Sequence, residues 1–291
     1  MIDEAARGRM AGALAAFTQE TTLGPEHRRL MDAGHRPVPW EQSGAAALPE
    51  PLRAGLAELW RGRMISEHRS VGIFSLYALD LLGAGAPAEA LSLACRAALD
   101  EVRHAELFSR LASLYSGERE TPPPGIPPMP DDPGLPIHLQ AAREAFHLCV
   151  CAETYSAVTL AELRARATDP AVHAALGVVI ADELFHARMG WSLLATLLAG
   201  PGADELRPFL QAEIAPMFDG FVGDMFGDPT ALPAPSLSGA DRALAEAHGY
   251  IPQRDEYALF LGAVDAVWIP GLPGLGLDPA PLRNRFPALP A

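Results

Sequence analysis

The amino-acid sequence predicts an all-α protein built around a four-helix bundle, with extra helices before and after it. Three observations carry this prediction. Apolar residues recur at helical spacing over long stretches, the breaks between these stretches are short, long and short in turn, and the second half of the pattern repeats the first. Two helical hairpins joined by one long crossover, between the second and third helices, account for all three.

Four long helices are predicted from the apolar spacing, at residues 51–82, 87–115, 136–167 and 170–198. The run from Gly83 to Pro87 is a short break, and Asp169 followed by Pro170 is a helix cap with proline at the first helical position. Residues 118–136 contain eight prolines, and proline-rich chain favours an extended form of about 3.1 Å per residue. This segment is therefore long enough to run the length of a helix.

The chain is predicted to divide into three parts: an N-terminal helical extension at 1–47, the bundle at 48–200, and C-terminal helices with a tail rich in proline and glycine at 201–291. Short helices are expected in the first part near 2–17 and 25–34. The last part is expected to pack on the bundle, with helices at 203–226, 239–248 and 254–268.

Charge and composition exclude several classes of function. The formal net charge is −14, so the protein repels phosphate backbones and we expect no nucleic-acid partner. All 22 basic residues are arginine, which excludes chemistry that needs a lysine Schiff base. No apolar run reaches the roughly 18 residues that span a bilayer, and the acidic N-terminus lacks the layout of a signal peptide. We therefore expect a cytoplasmic protein without membrane contact.

Two motifs of the same form lie 82 residues apart, from Asp100 to His104 and from Asp182 to His186. Each contains a glutamate and a histidine three positions apart in an apolar helix, and positions i and i+3 lie on one face of a helix. One Glu-x-x-His pair is weak evidence, because surface helices carry such pairs by accident. Two copies, each paired with an upstream helix that carries a glutamate, indicate a functional site.

The upstream glutamates are Glu67 and Glu153, which lie 86 residues apart and so follow nearly the same repeat. In each hairpin the two glutamates are nearly equal numbers of residues from the turn, which places them at about the same height in antiparallel helices. Their neighbours one turn away are mostly small or apolar, so these faces are expected to point inward. We predict that six side chains converge on one layer of the interior: Glu67, Glu101, His104, Glu153, Glu183 and His186.

Four carboxylates buried together would not all stay ionised, because each desolvated anion costs several kcal/mol and like charges raise one another's pKa. Two divalent cations would balance them, and carboxylate with imidazole ligands suits iron, manganese or zinc. The alternative is that these groups are protonated or salt-bridged polar residues of the core.

This set of residues resembles the ferritin-like di-metal carboxylate superfamily, in which a glutamate from each of two helices and a Glu-x-x-His motif from each of the other two project into a bundle. The form Asp-Glu-x-Arg-His at residues 100–104 is especially similar to bacterial di-iron oxygenases. The second copy has Phe185 where those enzymes often have arginine. The resemblance covers about residues 50–200.

The resemblance implies a role for each residue. The glutamates of the two motifs would bridge or cap two metal ions, the motif histidines would each ligate one ion, and Glu67 and Glu153 would complete the set. Asp100 and Asp182 would accept hydrogen bonds from the imidazoles and fix their tautomers. Arg103 belongs to the same outer layer.

Small and apolar neighbours of the ligands, Gly190 among them, could leave a cavity for an organic substrate. Tyr155 is either a packed aromatic residue or a redox-active tyrosine. The residues expected to line a pocket are Met64, Val71, Phe74, Phe108, Cys149 and Ala157.

The function implied by the resemblance is that of an oxidoreductase that uses two divalent metal ions and dioxygen to oxidise a small organic molecule. Iron is the expected metal, with manganese or a mixed iron–manganese pair as alternatives. An electron-donor protein and a second copy of the chain are expected partners. The alternatives are a ferroxidase or iron-handling protein, a peroxide-consuming dimanganese protein, and an interaction scaffold that has lost its metal.

Overall fold

The computed structural model describes residues 27, 28, 30, 31, 37–125 and 134–289. The chain divides into two compact units, Met1–Pro37 and Val38–Ala291. The helix predicted at 2–17 lies outside the described residues, whereas the four described residues of the helix predicted at 25–34 are helical. The candidate site lies wholly in the second unit.

The described part of the second unit contains helices and no strand. Its principal helices are α1 (Glu50–Gly83), α2 (Ala88–Ser116), α3 (137–166), α4 (Pro170–Ala199), α5 (Ala203–Phe226), α6 (Gly239–Ala247) and α7 (Gln253–Ala263). The helix α3 has three consecutive segments: an α-helix at Ile137–Glu144, a π-helix at Ala145–Glu153 and an α-helix at Thr154–Arg166. Short helical segments follow α7 at Val264–Trp268, Ile269–Gly271, Leu272–Leu275 and Ala280–Leu282, and 3-10 turns precede α1 at Trp40–Gln42 and Ala45–Ala47.

The residues that end and begin the helices explain where the chain turns. Gly117 ends α2 with a φ of 79°, a left-handed conformation that glycine adopts at little steric cost. Asp169 caps α4, because its side chain accepts hydrogen bonds from the backbone N–H groups of Ala171 and Val172, each at 3.0 Å. The predicted helix bounds agree with these helices to within a residue or two.

The four long helices pack as two hairpins, α1 with α2 and α3 with α4. The hairpins meet where α2 packs against α4 and where α1 packs against the first segment of α3. Residues 118–125 of the proline-rich connection are not helical, and residues 126–133 lie outside the described part of the chain. The short, long and short connections are those expected from the sequence.

A polar layer divides the hydrophobic core. One cluster of buried apolar residues contains Phe74 and Cys149, and the other contains Trp60, Met64 and Phe108. Along α1, α2 and α4 the predicted ligands lie between these clusters, and on α3 Glu153 lies between Cys151 and Tyr155 of the first cluster. The core is therefore largely apolar on both sides of one charged level.

The π-helical segment of α3 fits closely against α4 at Gly190. A Cβ atom added to Gly190 would lie 2.3 Å from Cys149 Cβ and 3.2 Å from the carbonyl oxygen of Ala145. The predicted cavity beside Gly190 is thus filled by Cys149, and only glycine permits this approach. The segment ends at Glu153, so its extra turn width sets the position of a predicted ligand.

The C-terminal helices pack on the bundle through aromatic residues. Phe218 of α5 contacts Phe146 of α3, and Trp268 donates a hydrogen bond from Nε1 to the carbonyl oxygen of Val150 at 2.7 Å. The indole of Trp268 therefore satisfies one carbonyl of the π-helical segment. Of the aromatic and methionine residues at 217–226, Met217, Phe218, Phe221 and Phe226 are buried in the core, whereas Met225 is exposed.

Among the described residues, one helical stretch, Gln253–Leu275, is long and apolar enough to cross a membrane by length and composition. The sequence prediction requires an uninterrupted apolar run, and Asp265 interrupts this stretch. Tyr257, Phe260 and Trp268 in the same stretch are fully buried in the fold. A single stretch of this kind is weak evidence for membrane insertion, because packed core helices pass the same test.

Candidate metal site

The six predicted ligands lie in one cluster at the polar layer. Five of them are buried, and the side chain of Glu67 is 12% exposed. Their ligand atoms form two overlapping sets of four, and the atoms of each set lie within 4.8 Å of one another. The first set is Glu67, Glu101, His104 and Glu183, and the second is Glu101, Glu153, Glu183 and His186.

The imidazole of His104 directs its Nδ1 atom at the first set. This nitrogen lies 3.6 Å from Glu67 Oε2 and 3.5 Å from Glu101 Oε2. It also lies 3.4 Å from Glu183 Oε1. Three carboxylates on three helices thus face one ring nitrogen.

The imidazole of His186 does the same for the second set. Its Nδ1 atom lies 3.3 Å from both Glu101 Oε1 and Glu153 Oε2, and 3.8 Å from Glu183 Oε2. Glu101 and Glu183 therefore belong to both sets. Ligand atoms held at about 2.0–2.2 Å from one metal ion lie at most about 4.4 Å apart, so each set has nearly the size of a coordination sphere and could hold a metal ion.

The outer aspartates are arranged crosswise. His104 Nε2 lies 3.3 Å from Asp182 of the other motif, and His186 Nε2 lies 3.4 Å from Asp100. With Nε2–H donating to an aspartate, each ring turns the lone pair of Nδ1 towards the glutamates. Arg103 Nη1 lies between the two aspartates, at 2.8 Å from Asp100 and 3.0 Å from Asp182.

A second arginine, which the sequence prediction did not include, completes this outer layer. Arg96 Nε donates to Asp100 at 3.2 Å, and its Nη2 lies 3.7 Å from Asp182. Its guanidinium carbon lies 4.0 Å from the ring centre of Phe185, a cation–π contact. Phe185 of the second motif therefore supports an arginine that lies four residues before the first motif. The available signal is that Arg96 lies one helical turn before Asp100.

Buried atoms without hydrogen-bond partners test whether this cluster fits a metal. Both carboxylate oxygens of Glu101, Oε2 of Glu183 and Nδ1 of His104 are buried, and none has a hydrogen-bond partner among the residues that the structure describes. Leaving such atoms unsatisfied costs free energy, and more so for an ionised group. All are lone-pair donors that point into the two sets, so cations fit the site.

Without a cation, protons take over part of the charge balance. Burial raises the pKa of Glu67 to about 8 and raises the pKa of Glu153 well above its usual range. Burial also acts against the charged imidazoles of His104 and His186, but the surrounding carboxylates outweigh it and raise both pKa values. Protons and metal ions therefore compete for the same buried atoms.

A cavity of about 360 Å³ reaches this cluster from the surface. It lies between α1 and α3, with α5 and α7 as further walls, and three predicted ligands line it: Glu67, Glu153 and Glu183. Its other lining residues are Leu59, Gly62, Arg63, Ser66, Ser70, Ala152, Tyr155, Ser156, Thr159, Leu160, Phe221, Met225 and Glu256.

None of the six residues predicted to line a pocket is among those that line this cavity. All of them except Val71 are buried. Met64 and Phe108 pack with Trp60 in the core, and the ring of Phe74 lies 5.2 Å from the ring of His186. The cavity forms instead where α5 and α7 cover the groove between α1 and α3. The apolar spacing of the four bundle helices does not predict this position.

Comparison of the chain with protein-family models, with curated proteins and with solved structures gave no match. What the site can do is therefore argued from its own side chains.

Proposed function

We propose that this protein is a ferritin-like di-metal oxidoreductase that uses two iron ions and dioxygen to oxidise a small organic molecule. One observation supports this above the others: two sets of four ligand atoms share the buried carboxylates of Glu101 and Glu183. Shared carboxylates of this kind suit a pair of cations at close range. The short, long and short connections that join α1, α2, α3 and α4 in turn also agree with the ferritin-like arrangement.

In this proposal, Glu67 with His104 would hold one ion and Glu153 with His186 would hold the other, and Glu101 and Glu183 belong to both sets. Oxygen and nitrogen ligands without a thiolate suit iron or manganese. By accepting from Nε2–H, the crosswise aspartates would fix the tautomer in which Nδ1 of a neutral imidazole is the atom offered to an ion. The two ions would replace the protons that the cluster otherwise holds.

Ferrous ions bound here would supply electrons for the reduction of dioxygen. Hydroxylation of the substrate inserts one oxygen atom and releases the other as water, which consumes two protons and two electrons from an external reductant in each turnover. An electron-donor protein is therefore an expected partner. The cavity beside Glu67, Glu153 and Glu183 favours an organic substrate over the ferroxidase and peroxide-consuming alternatives, which need none.

Metal analysis of the purified protein tests the site. We expect two metal ions per chain, mainly iron, and a loss of at least one ion in Glu101→Gln and in Glu183→Gln. Glu89→Gln is the matched control, because Glu89 is an exposed residue of α2 that belongs to neither set. Full metal content in both ligand variants would sink the assignment.

Oxygen uptake by the protein loaded anaerobically with ferrous iron tests the reaction class. We expect uptake stoichiometric with the bound iron in the absence of substrate and reductant. Sustained uptake with excess ferrous iron alone, together with iron deposition, would favour a ferroxidase instead. Iron that binds but consumes no oxygen would contradict the proposal.

A further inference from the structure

The cavity beside the candidate metal site is lined by residues with polar atoms that lack a hydrogen-bond partner within the described part of the chain. These atoms are the phenol oxygen of Tyr155, the hydroxyl of Thr159 and Nε of Arg63, and all three are buried. The two hydroxyls, one helical turn apart, interact with each other without the geometry of a full hydrogen bond. All three residues line the same cavity. Tyr155 and Thr159 are only 5% and 3% exposed. Because buried polar atoms nearly always have partners, three of them in one cavity indicate a bound molecule that supplies them.

These groups lie close to the predicted ligands along the helices. Arg63 is one helical turn before Glu67 on α1. Thr159 is six residues after Glu153 on α3, a rise of about 9 Å, and Tyr155 lies between them in the sequence. A molecule anchored on the three groups would therefore extend over one to two helical turns to reach the metal ligands.

The chemistry of the three groups indicates what the molecule carries. The Nε of arginine is only a donor, and the two hydroxyls can both donate, so together they suit a group with several acceptor lone pairs. A carboxylate meets this description and gains a charge-assisted hydrogen bond from the guanidinium. Glu256 accepts one N–H of Arg63, from Nη2 at 3.2 Å, whereas Nε of the same guanidinium keeps a donor without a partner among the described residues.

The remaining walls suit an apolar body. Phe221 and Met225 of α5 line the cavity, together with Leu59 and Leu160. The ring of Tyr155 is held in place edge-on to Phe221 and Phe226, at centroid distances of 5.3 Å and 6.1 Å. The phenol oxygen is therefore presented by a rigid aromatic cluster.

We propose that this cavity binds small amphipathic carboxylic acids. The carboxylate accepts hydrogen bonds from Tyr155, Thr159 and Arg63, and the apolar part lies against Phe221 and Met225. That such an acid is the substrate rests on the proposed function. That the cavity binds such an acid does not depend on the proposed function.

Calorimetric titration of the purified full-length protein, without oxygen, tests the proposal with octanoate as the probe. Octan-1-ol and octylamine have the same chain with a neutral and a cationic head group. We expect octanoate to bind more tightly than either. Tyr155→Phe and Thr159→Val each remove a hydroxyl for which the described part of the chain offers no full hydrogen bond, and each should weaken octanoate binding about tenfold.

Tyr77→Phe is the matched control. The hydroxyl of Tyr77 is also buried without a partner, but Tyr77 lies in the core and does not line the cavity. This variant should bind octanoate as the wild type does. Equal affinity for octanoate and octan-1-ol or octylamine, or wild-type affinity in both hydroxyl variants, would overturn the proposal.

Metal content measured on the same samples separates this proposal from the preceding one. Selective octanoate binding by a chain that holds no metal supports the carboxylate site and overturns the di-metal proposal. Stoichiometric metal with no preference for octanoate overturns the carboxylate site alone.

Discussion

Asp100 and Asp182 differ from the four glutamates in what balances their charge. Arg103 and Arg96 both contact the two aspartates, with Arg103 buried and Arg96 about half exposed. The four glutamates lie against the two imidazoles and one another, and no arginine among the described residues forms an ion pair with them. Guanidinium groups thus neutralise the outer carboxylates, and the inner ones depend on protons or on metal ions. This division explains why the cluster can remain open to cations although two arginines lie next to it.

The two arginines should therefore differ in their contribution to stability. Arg103→Leu leaves the half-exposed Arg96 as the remaining arginine contact of two buried aspartates. We expect a loss of about 3–5 kcal/mol in the free energy of unfolding. Arg96→Leu removes a side chain that is 51% exposed, and solvent screening limits the expected loss to about 0–1 kcal/mol. Urea denaturation of the two variants measures this difference. Equal losses would show that Arg103 is not the principal counter-charge.

At the scale of the secondary-structure element, sequence periodicity did not predict the π-helical segment of α3. Periodicity at 3.6 residues predicts one continuous helix at 136–167, and the observed bounds of α3 agree with it. The extra width arises from packing, because Gly190 on a different helix lets the segment approach α4. No local pattern in residues 145–153 encodes that contact. The neighbours that set the segment are 40 residues away along the chain, so only tertiary structure identifies it.

Gly190→Ala should be strongly destabilising, since its Cβ would lie 2.3 Å from Cys149 Cβ. We expect a loss of about 1–3 kcal/mol or more, together with a lower metal content, because the segment positions Glu153. Gly220→Ala is the control: nothing lies within 4 Å of a Cβ there, and alanine should stabilise α5 by up to about 1 kcal/mol.

A double variant tests whether the close contact between positions 149 and 190 causes this loss of stability. Cys149→Gly in the Gly190→Ala background removes the clashing atom and should restore part of the lost stability, which thermal unfolding would measure. Additive losses would mean that the two positions are not coupled.

The loop between α6 and α7 contributes a pH-dependent contact at one end of the bundle. Tyr115 Oη lies 2.8 Å from His248 Nδ1, a contact in which the phenol donates when the imidazole is neutral and carries its proton on Nε2. Burial lowers the pKa of His248, although Asp169, at 3.6 Å, acts in the opposite direction. The unfolded chain therefore binds a proton near pH 6.5 that the folded chain takes up only at lower pH.

Stability should consequently fall as the pH drops through about 6.5. His248→Gln lacks this titration. The difference in free energy of unfolding between the wild type and the variant should therefore shrink as the pH is lowered from about 7.5 to about 5.5. Urea denaturation at both values measures it. A constant or growing advantage at low pH would contradict the assignment of a neutral imidazole.

At the scale of the whole molecule, the sequence predicts the features that depend on local pattern. It does not predict those that depend on how α5 and α7 pack on the bundle. The four long helices and the meeting of six ligands follow from periodicity, turn residues and an internal repeat. The crosswise pairing of Asp100 and Asp182 with the histidines, and the contact of Arg96 with Phe185, depend on how two helices rotate against each other. The cavity depends on α5 and α7, whose position on the bundle no spacing rule gives.

The charged layer has a consequence for the stability of the whole fold. It divides the core into two apolar clusters, so its charge balance affects the packing of all four long helices. Metal that binds only the folded state stabilises it by mass action, by about 2.7 kcal/mol at a free concentration one hundred times the dissociation constant. Removal of metal with a chelator should therefore lower the melting temperature of the wild type.

The double variant Glu101→Gln/Glu183→Gln should not respond to the chelator. It removes the two carboxylates that both ligand sets share, so it should no longer hold the two ions. Burial acts against the charge of both carboxylates, but their contacts, those with His104 and His186 included, outweigh it and lower both pKa values. We therefore expect the variant to melt below the metal-free wild type as well, at a temperature that a chelator does not change. Differential scanning calorimetry with and without chelator measures both. A wild type that keeps its melting temperature after complete metal removal, or a variant that a chelator still destabilises, would contradict the view that cations balance the charge of this layer.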